Sequence, residues 1–162
     1  MPNKWTFTIK PIAQLLKEEV GKGKWIDPFC GKHSPATITN DLNKDTKATF
    51  NLDALVFLKG CESESADGVL FDPPYSITQA KQCYAGYGMD KLNIKPTSMQ
   101  YWSEIKNEIA RILKPNGKVI CFGWNSMGLG INRGFEMKRI LLVPHGGSKN
   151  DTIVTVEIKV PR

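Results

Sequence analysis

Hydrophobic positions along the chain switch between a repeat of three to four residues and a repeat of two, and the switches mark out a series of short elements. From Pro11 to Val20, Ile12, Leu15 and Leu16 on a Lys/Glu background predict an amphipathic helix with Pro in its first turn, closed by Gly21-Lys22-Gly23. Lys24 to Phe29 reads as a short buried strand whose end is marked by Pro28 and Gly31, and Ala36 to Asn40 as a second strand ending in Asp41. Ala54 to Lys59 is a short helix, and Gly68 to Phe71 a strand that stops at Asp72-Pro73-Pro74-Tyr75. Ser98 caps a helix carrying Tyr101, Trp102, Ile105, Ile109, Ile112 and Leu113, ended by a turn at Lys114-Pro115-Asn116-Gly117. Lys118 to Phe122 is a buried strand, and Arg139 to Val143 and Thr152 to Lys159 are strands that pair across the loop from His145 to Asp151.

Strand, helix and strand in succession predict an α/β fold with a largely parallel sheet and a C-terminal antiparallel hairpin, where ligands sit at the carboxyl ends of strands. Asp27, Asp41 and Asp72 fall at such ends. Only ten positions run from Gly31 to Asp41, too few for a helix plus a strand, so the first crossover helix is expected to be missing. With 162 residues, 41% of them hydrophobic, the chain suits one domain over residues 1–162, with no room for a separate target-recognition domain.

Composition narrows the classes further. The longest apolar runs, such as Ile140-Leu141-Leu142-Val143, fall far short of the roughly 20 residues that span a bilayer. The start, Met1-Pro2-Asn3-Lys4-Trp5-Thr6, has no secretory pattern, and Cys30, Cys61, Cys83 and Cys121 are scattered with only His33 and His145 beside them. A cytoplasmic protein without disulfide or metal is expected. The 22 Lys+Arg against 16 Asp+Glu leave a charge of +6, which favours a polyanionic partner.

The most specific signal is Asp72-Pro73-Pro74-Tyr75; a given four-residue string arises by chance in about one chain in a thousand of this length. It reads either as a strand ended by a Pro-Pro turn or as chemistry. An exocyclic amine on a purine or pyrimidine is a poor nucleophile because its lone pair is delocalised into the ring. A carboxylate such as Asp72 can accept one N–H, and the carbonyl of Pro73, held stiffly by two successive prolines, the other, turning the lone pair outward. Tyr75 can stack on the ring.

These residues resemble the S-adenosylmethionine-dependent amino-methyltransferases, in particular DNA adenine-N6 methyltransferases and the small adenine methylases encoded by phages. Asp27-Pro28-Phe29-Cys30-Gly31 is similar to the family's cofactor loop, and Thr8-Ile9-Lys10-Pro11 to the segment beside it. The resemblance implies a Rossmann-like methyltransferase sheet with S-adenosylmethionine as cofactor. Lys10, Asp27, Pro28, Phe29, Cys30 and Gly31 would line its methionine portion, Asp41 would accept its ribose hydroxyls, and Asp53 and Ala54 of Asn51-Leu52-Asp53-Ala54 would meet its adenine. Asp72, Pro73, Pro74 and Tyr75 would be catalytic. After Gly31, Lys32-His33-Ser34-Pro35 replaces the family's usual Gly-x-Thr, in keeping with the missing crossover helix. From the residues alone, an ordinary turn at Asp41 and a helix N-cap at Asp53 are the competing readings.

For the substrate, Tyr84 and Tyr87 lie among lysines in the long stretch after Tyr75, and Trp124, Asn125 and Arg133 lie in a Gly-rich segment after a strand, where Arg133 would meet a phosphate. The expected reaction is methyl transfer to adenine N6 in DNA. Cytosine N4, an amine in RNA or protein, and a degenerate fold that only binds nucleic acid or protein are the alternatives, and a homodimer is left open.

Overall fold

The structure, a computed structural model, describes residues 6–76, 78, 98–147 and 149–161. A 3-10 turn, Thr6–Thr8, leads into helix α1, Lys10–Glu19, with Pro11 in its first turn and Ile12, Leu15 and Leu16 buried on one side. There follow strands β1, Trp25–Asp27, and β2, Ile38–Thr39; helix α2, Ala54–Lys59; strand β3, Ala66–Phe71; helix α3, Met99–Ile112; and strands β4, Leu113–Gly123, β5, Phe135–Val143, and β6, Thr152–Lys159.

The six strands form one sheet in the order β2-β1-β3-β4-β6-β5. The β1/β2, β1/β3 and β3/β4 pairs are parallel; β6 runs antiparallel to both β4 and β5, so it alone is reversed. The sheet is therefore mostly parallel with a C-terminal antiparallel hairpin, the expected Rossmann-like methyltransferase arrangement. Helix α1 packs with Leu70, Ile120, Phe122, Val154 and Val156 on one face. Helices α2 and α3 cover the other, where Ile105, Ile109 and Ile112 are fully buried; each contributes about 1.5–3 kcal/mol over its exposed state. Gly68 allows the closest approach within the sheet layer, because a Cβ there would lie 2.4 Å from the Trp25 ring.

Residues 28–37 join β1 to β2 with no helix, as the spacing predicts, and β2 is only two residues long because Asn40 leaves it to form a single parallel bridge with Phe50. The turn expected at Lys114-Pro115-Asn116-Gly117 is instead a bulge inside β4. Ala66 faces Leu113 and Gly68 faces Lys118, so three extra residues are accommodated on β4, with Asn116 at φ 63°. A second crossover, residues 124–134 between β4 and β5, carries only the 3-10 turn Ile131–Arg133. Among the described residues no helix is long and apolar enough to cross a membrane.

Candidate active site

The strand order reverses direction at β1 and β3, and their carboxyl ends abut because Ile26 is paired with Val69. A ligand crevice belongs at such a switch point, and here it gathers the acidic residues. Asp27 ends β1 fully buried; its Oδ1 accepts from the Phe29 amide at 3.0 Å and its Oδ2 from the Ser34 hydroxyl at 2.5 Å. Asp72 follows β3 at 2% exposure and accepts from the Tyr75 hydroxyl at 2.5 Å. Burial pushes Asp27 up to about 8, and the charges of Asp72 and Asp41 add to the effect. Burial also pushes Asp72 up to about 7, against the opposing hydrogen bonds from Tyr75 and Thr6. Burial thus favours the protonated form of each, and a cation brought beside them would favour the ionised form.

Asp41 is half-buried. Its Oδ2 accepts from the Gly31 amide at 2.9 Å and its Oδ1 from the Asn43 amide at 2.8 Å, and burial raises its pKa. Each carboxylate oxygen has a second lone pair, so Asp41 keeps capacity for further donors. Asp53 is differently employed. It is the N-cap of α2, accepting from the amides of Leu55 and Val56 at 3.0 and 3.1 Å, while its other oxygen takes the Tyr101 hydroxyl at 2.6 Å. Ala54 is buried beside it, and Lys10 stands exposed at the start of α1. Pro28 is buried and Phe29 packs against Phe71 and Trp102. The Cys30 thiol, pushed up to about 12 by burial, stays neutral and is no nucleophile. Among the described residues no three His, Cys, Asp or Glu side chains gather as a metal site.

A groove of about 270 Å³ opens at the carboxyl ends of β3 and β4. Pro73, Pro74 and Tyr75 form one wall, Trp102 and Lys106 of α3 another, and Trp124 and Asn125 a third. The Tyr75 ring meets Trp124 edge-on, with centroids 5.7 Å apart. Arg133 does not share this groove. It donates to Asn107, Ser103 and the Leu129 carbonyl and lines a separate cavity with Arg111 and Lys159, beside the amino-terminal end of β4. Tyr84 and Tyr87 lie outside the described residues.

Two groups here escaped the sequence reading. Glu157 on β6 is 1% exposed, and its carboxylate accepts from the amides of Leu129 and Gly130 at 2.7 and 2.9 Å. Lys106 donates to the Gly128 carbonyl at 2.7 Å. The one available signal was Gly128-Leu129-Gly130, a segment able to approach another chain closely.

No family profile matches the chain, and no curated protein matches it. Solved structures do. The 1,6-didemethyltoxoflavin-N1-methyltransferase of Burkholderia thailandensis, bound to 1,6-didemethyltoxoflavin and S-adenosylhomocysteine, aligns at TM-score 0.61 and 12% identity over 92% of this chain and 76% of its own. The N-methyltransferase NodS of Bradyrhizobium japonicum, in complex with S-adenosylhomocysteine, aligns at 0.60 and 10% over 94% and 87%. TrmN of Thermus thermophilus aligns at 0.56 and 17% over 92% of this chain but 48% of its own. At these identities the shared property is the fold: the chain has the Rossmann-like fold of S-adenosylmethionine-dependent methyltransferases.

Proposed function

We propose that the protein transfers a methyl group from S-adenosylmethionine to the exocyclic N6 amine of adenine in DNA. The observation that carries the reading is Asp72, buried at the switch point and followed by Pro73-Pro74-Tyr75 at the mouth of an aromatic-walled groove. The raised carboxylates fit a cofactor bearing a sulfonium and an ammonium, and Asp41 has the lone pairs for ribose hydroxyls. The cofactor, when bound, supplies an electrophilic methyl group.

The chain's own part is orientation. Asp72 and the Pro73 carbonyl each accept an N–H of the target amine, so its lone pair turns from the ring toward the methyl carbon. With the cofactor bound, an N–C bond would form as its S–C bond breaks, with S-adenosylhomocysteine as the leaving group, and the methylated amine would give up one proton to water. Tyr75, Trp102 and Trp124 give the base aromatic walls to stack against. Tyr75 now holds Asp72, so the amine enters by taking the place of that hydroxyl. The ionised form of Asp72 is the acceptor, and with its pKa near 7 the rate rises as pH passes through 7.

The net charge of +6 supports DNA as the polyanion, with little sequence discrimination, because phosphate contacts position a duplex without reading it. Labelled cofactor with DNA should give a product sensitive to deoxyribonuclease and carrying N6-methyladenine. Asp72→Ala should lower transfer by about 10³ or more; retained activity would sink the role given to Asp72. Label at cytosine N4, or in RNA or protein, would move the substrate class while leaving the mechanism. Because the first crossover lacks its helix and Asp53 is committed to α2, a binding-only protein is the second reading. Calorimetric titration with S-adenosylmethionine separates the two, since a scaffold shows no heat of binding.

A further inference from the structure

Glu157 occupies an unusual place. It lies on an interior strand, β6, flanked by β4 and β5, and is buried on the face opposite Val154 and Val156, the face that α3 covers. A carboxylate is costly there unless each oxygen is matched, and a side chain of similar volume without charge would fill the space more cheaply. Both oxygens are matched, by the consecutive amides of Leu129 and Gly130. The fit leaves no room between the two chains: a Cβ on Gly128, whose φ is +53°, would come within 2.1 Å of Glu157 Oε2. On the other side Lys106, projecting from α3, holds the Gly128 carbonyl. The loop thus gripped begins with Trp124 and Asn125, which wall the groove, and Lys106 itself reaches the groove wall.

We propose that Glu157 and Lys106 form a positioning clamp that fixes the loop of residues 124–130 and so sets the width of the substrate groove. The proposal rests on the groove being the acceptor site of the proposed methyltransferase. Neither residue takes part in the chemistry; they act through Trp124 and Asn125. The carboxylate takes two amides of a crossover that forms no α-helix, and the ammonium takes the carbonyl that precedes them. Sequence separation hides the arrangement, since three distant segments meet only in the folded chain. The cofactor carboxylates Asp27 and Asp41 belong to a different crossover, so the clamp should affect acceptor binding and leave cofactor binding alone.

Glu157→Gln keeps the shape but leaves one acceptor oxygen for two amides, and Lys106→Met keeps the stem while removing the donor. Each should raise KM for a DNA duplex about tenfold, with the Kd for S-adenosylmethionine unchanged, and Lys106→Arg should return KM toward the parent. Hydrogen exchange at the Leu129 and Gly130 amides should quicken in Glu157→Gln. Unchanged exchange at both amides, or loss of cofactor affinity in step with KM, would overturn the proposal. If the parent protein methylates no DNA, the proposed function fails on its own, and the exchange at Leu129 and Gly130 still decides whether the clamp exists.

Discussion

The two crossovers without a helix, residues 28–37 and residues 124–134, solve one problem in two ways. A loop of ten or so residues at the carboxyl end of a strand leaves backbone amides outside any ladder, and in each a carboxylate accepts some of them. In the first, Asp27 takes the Phe29 amide and Asp41 the Gly31 amide, so the acid and its donors are two to ten residues apart. In the second, Glu157 reaches Leu129 and Gly130 from a strand 27 and 28 residues further on. The first loop is tied to residues close in sequence, the second to β6, the strand that lies between the two it joins. Change in the first should stay local, and change in the second should spread into the core.

The largest test of that contrast is a pair of glycine substitutions. Gly31 and Gly128 have nearly the same left-handed φ, 54° and 53°, so the backbone penalty for Ala is alike, about 1 kcal/mol. Around Gly31 a new Cβ meets nothing within 4 Å, whereas at Gly128 it strikes the buried Glu157 carboxylate. Gly31→Ala should therefore cost about 1 kcal/mol, and Gly128→Ala about 3 kcal/mol once displacement of the carboxylate is added. Equal costs in urea unfolding would mean that the second loop is not held by β6.

The same contrast explains what the sequence disclosed. Helix α1, the buried isoleucines of α3 and the strand before Asp72 are patterns within a few residues, and they were legible. So was the missing first crossover helix, because it followed from a count of residues between Gly31 and Asp41. The junction of α3 and β4 was not, because Lys114-Pro115-Asn116-Gly117 has turn chemistry and only pairing with β3 turns it into a bulge. Glu157 is one polar position among the alternating residues of Thr152 to Lys159. Its burial comes from β6 lying between β4 and β5 and from α3 covering that face, which no local pattern reports. Arg133 followed a Gly-rich segment and was expected near phosphate in the groove; the 3-10 turn at Ile131–Arg133 carries it instead toward Ser103 and Asn107 on α3.

A smaller effect sharpens the first half of the comparison. Asp27 has an ordinary carboxylate value of 3.8 when unfolded and about 8 when folded. The folded state therefore holds the extra proton between those values, and stability declines as pH rises from about 4 to 8, then levels. Asp27→Asn, which stays neutral, should lack this decline. Its melting temperature relative to the parent should climb across that window, with a gain of more than about 1.4 kcal/mol by pH 9, the equivalent of a single pKa unit. A parallel pair of curves would show that Asp27 titrates normally. The lowered carboxylates Glu18, Glu19 and Asp67 drive stability the other way at acid pH, but they are exposed or partly so and common to both proteins.

The smallest expected effect is at Ser34, whose hydroxyl donates to Asp27 Oδ2 and accepts from the Ala36 amide at 3.3 Å. Ser34→Ala removes a donor that favours the ionised carboxylate, so the cost should be about 1 kcal/mol and greater above pH 8, where Asp27 is charged, than at pH 6. Because every partner of Ser34 lies within seven residues, hydrogen exchange in residues 124–130 should be untouched. A response there would mean that the two crossovers communicate through the abutting ends of β1 and β3, and that the first loop is as much a part of the sheet's interior as the second.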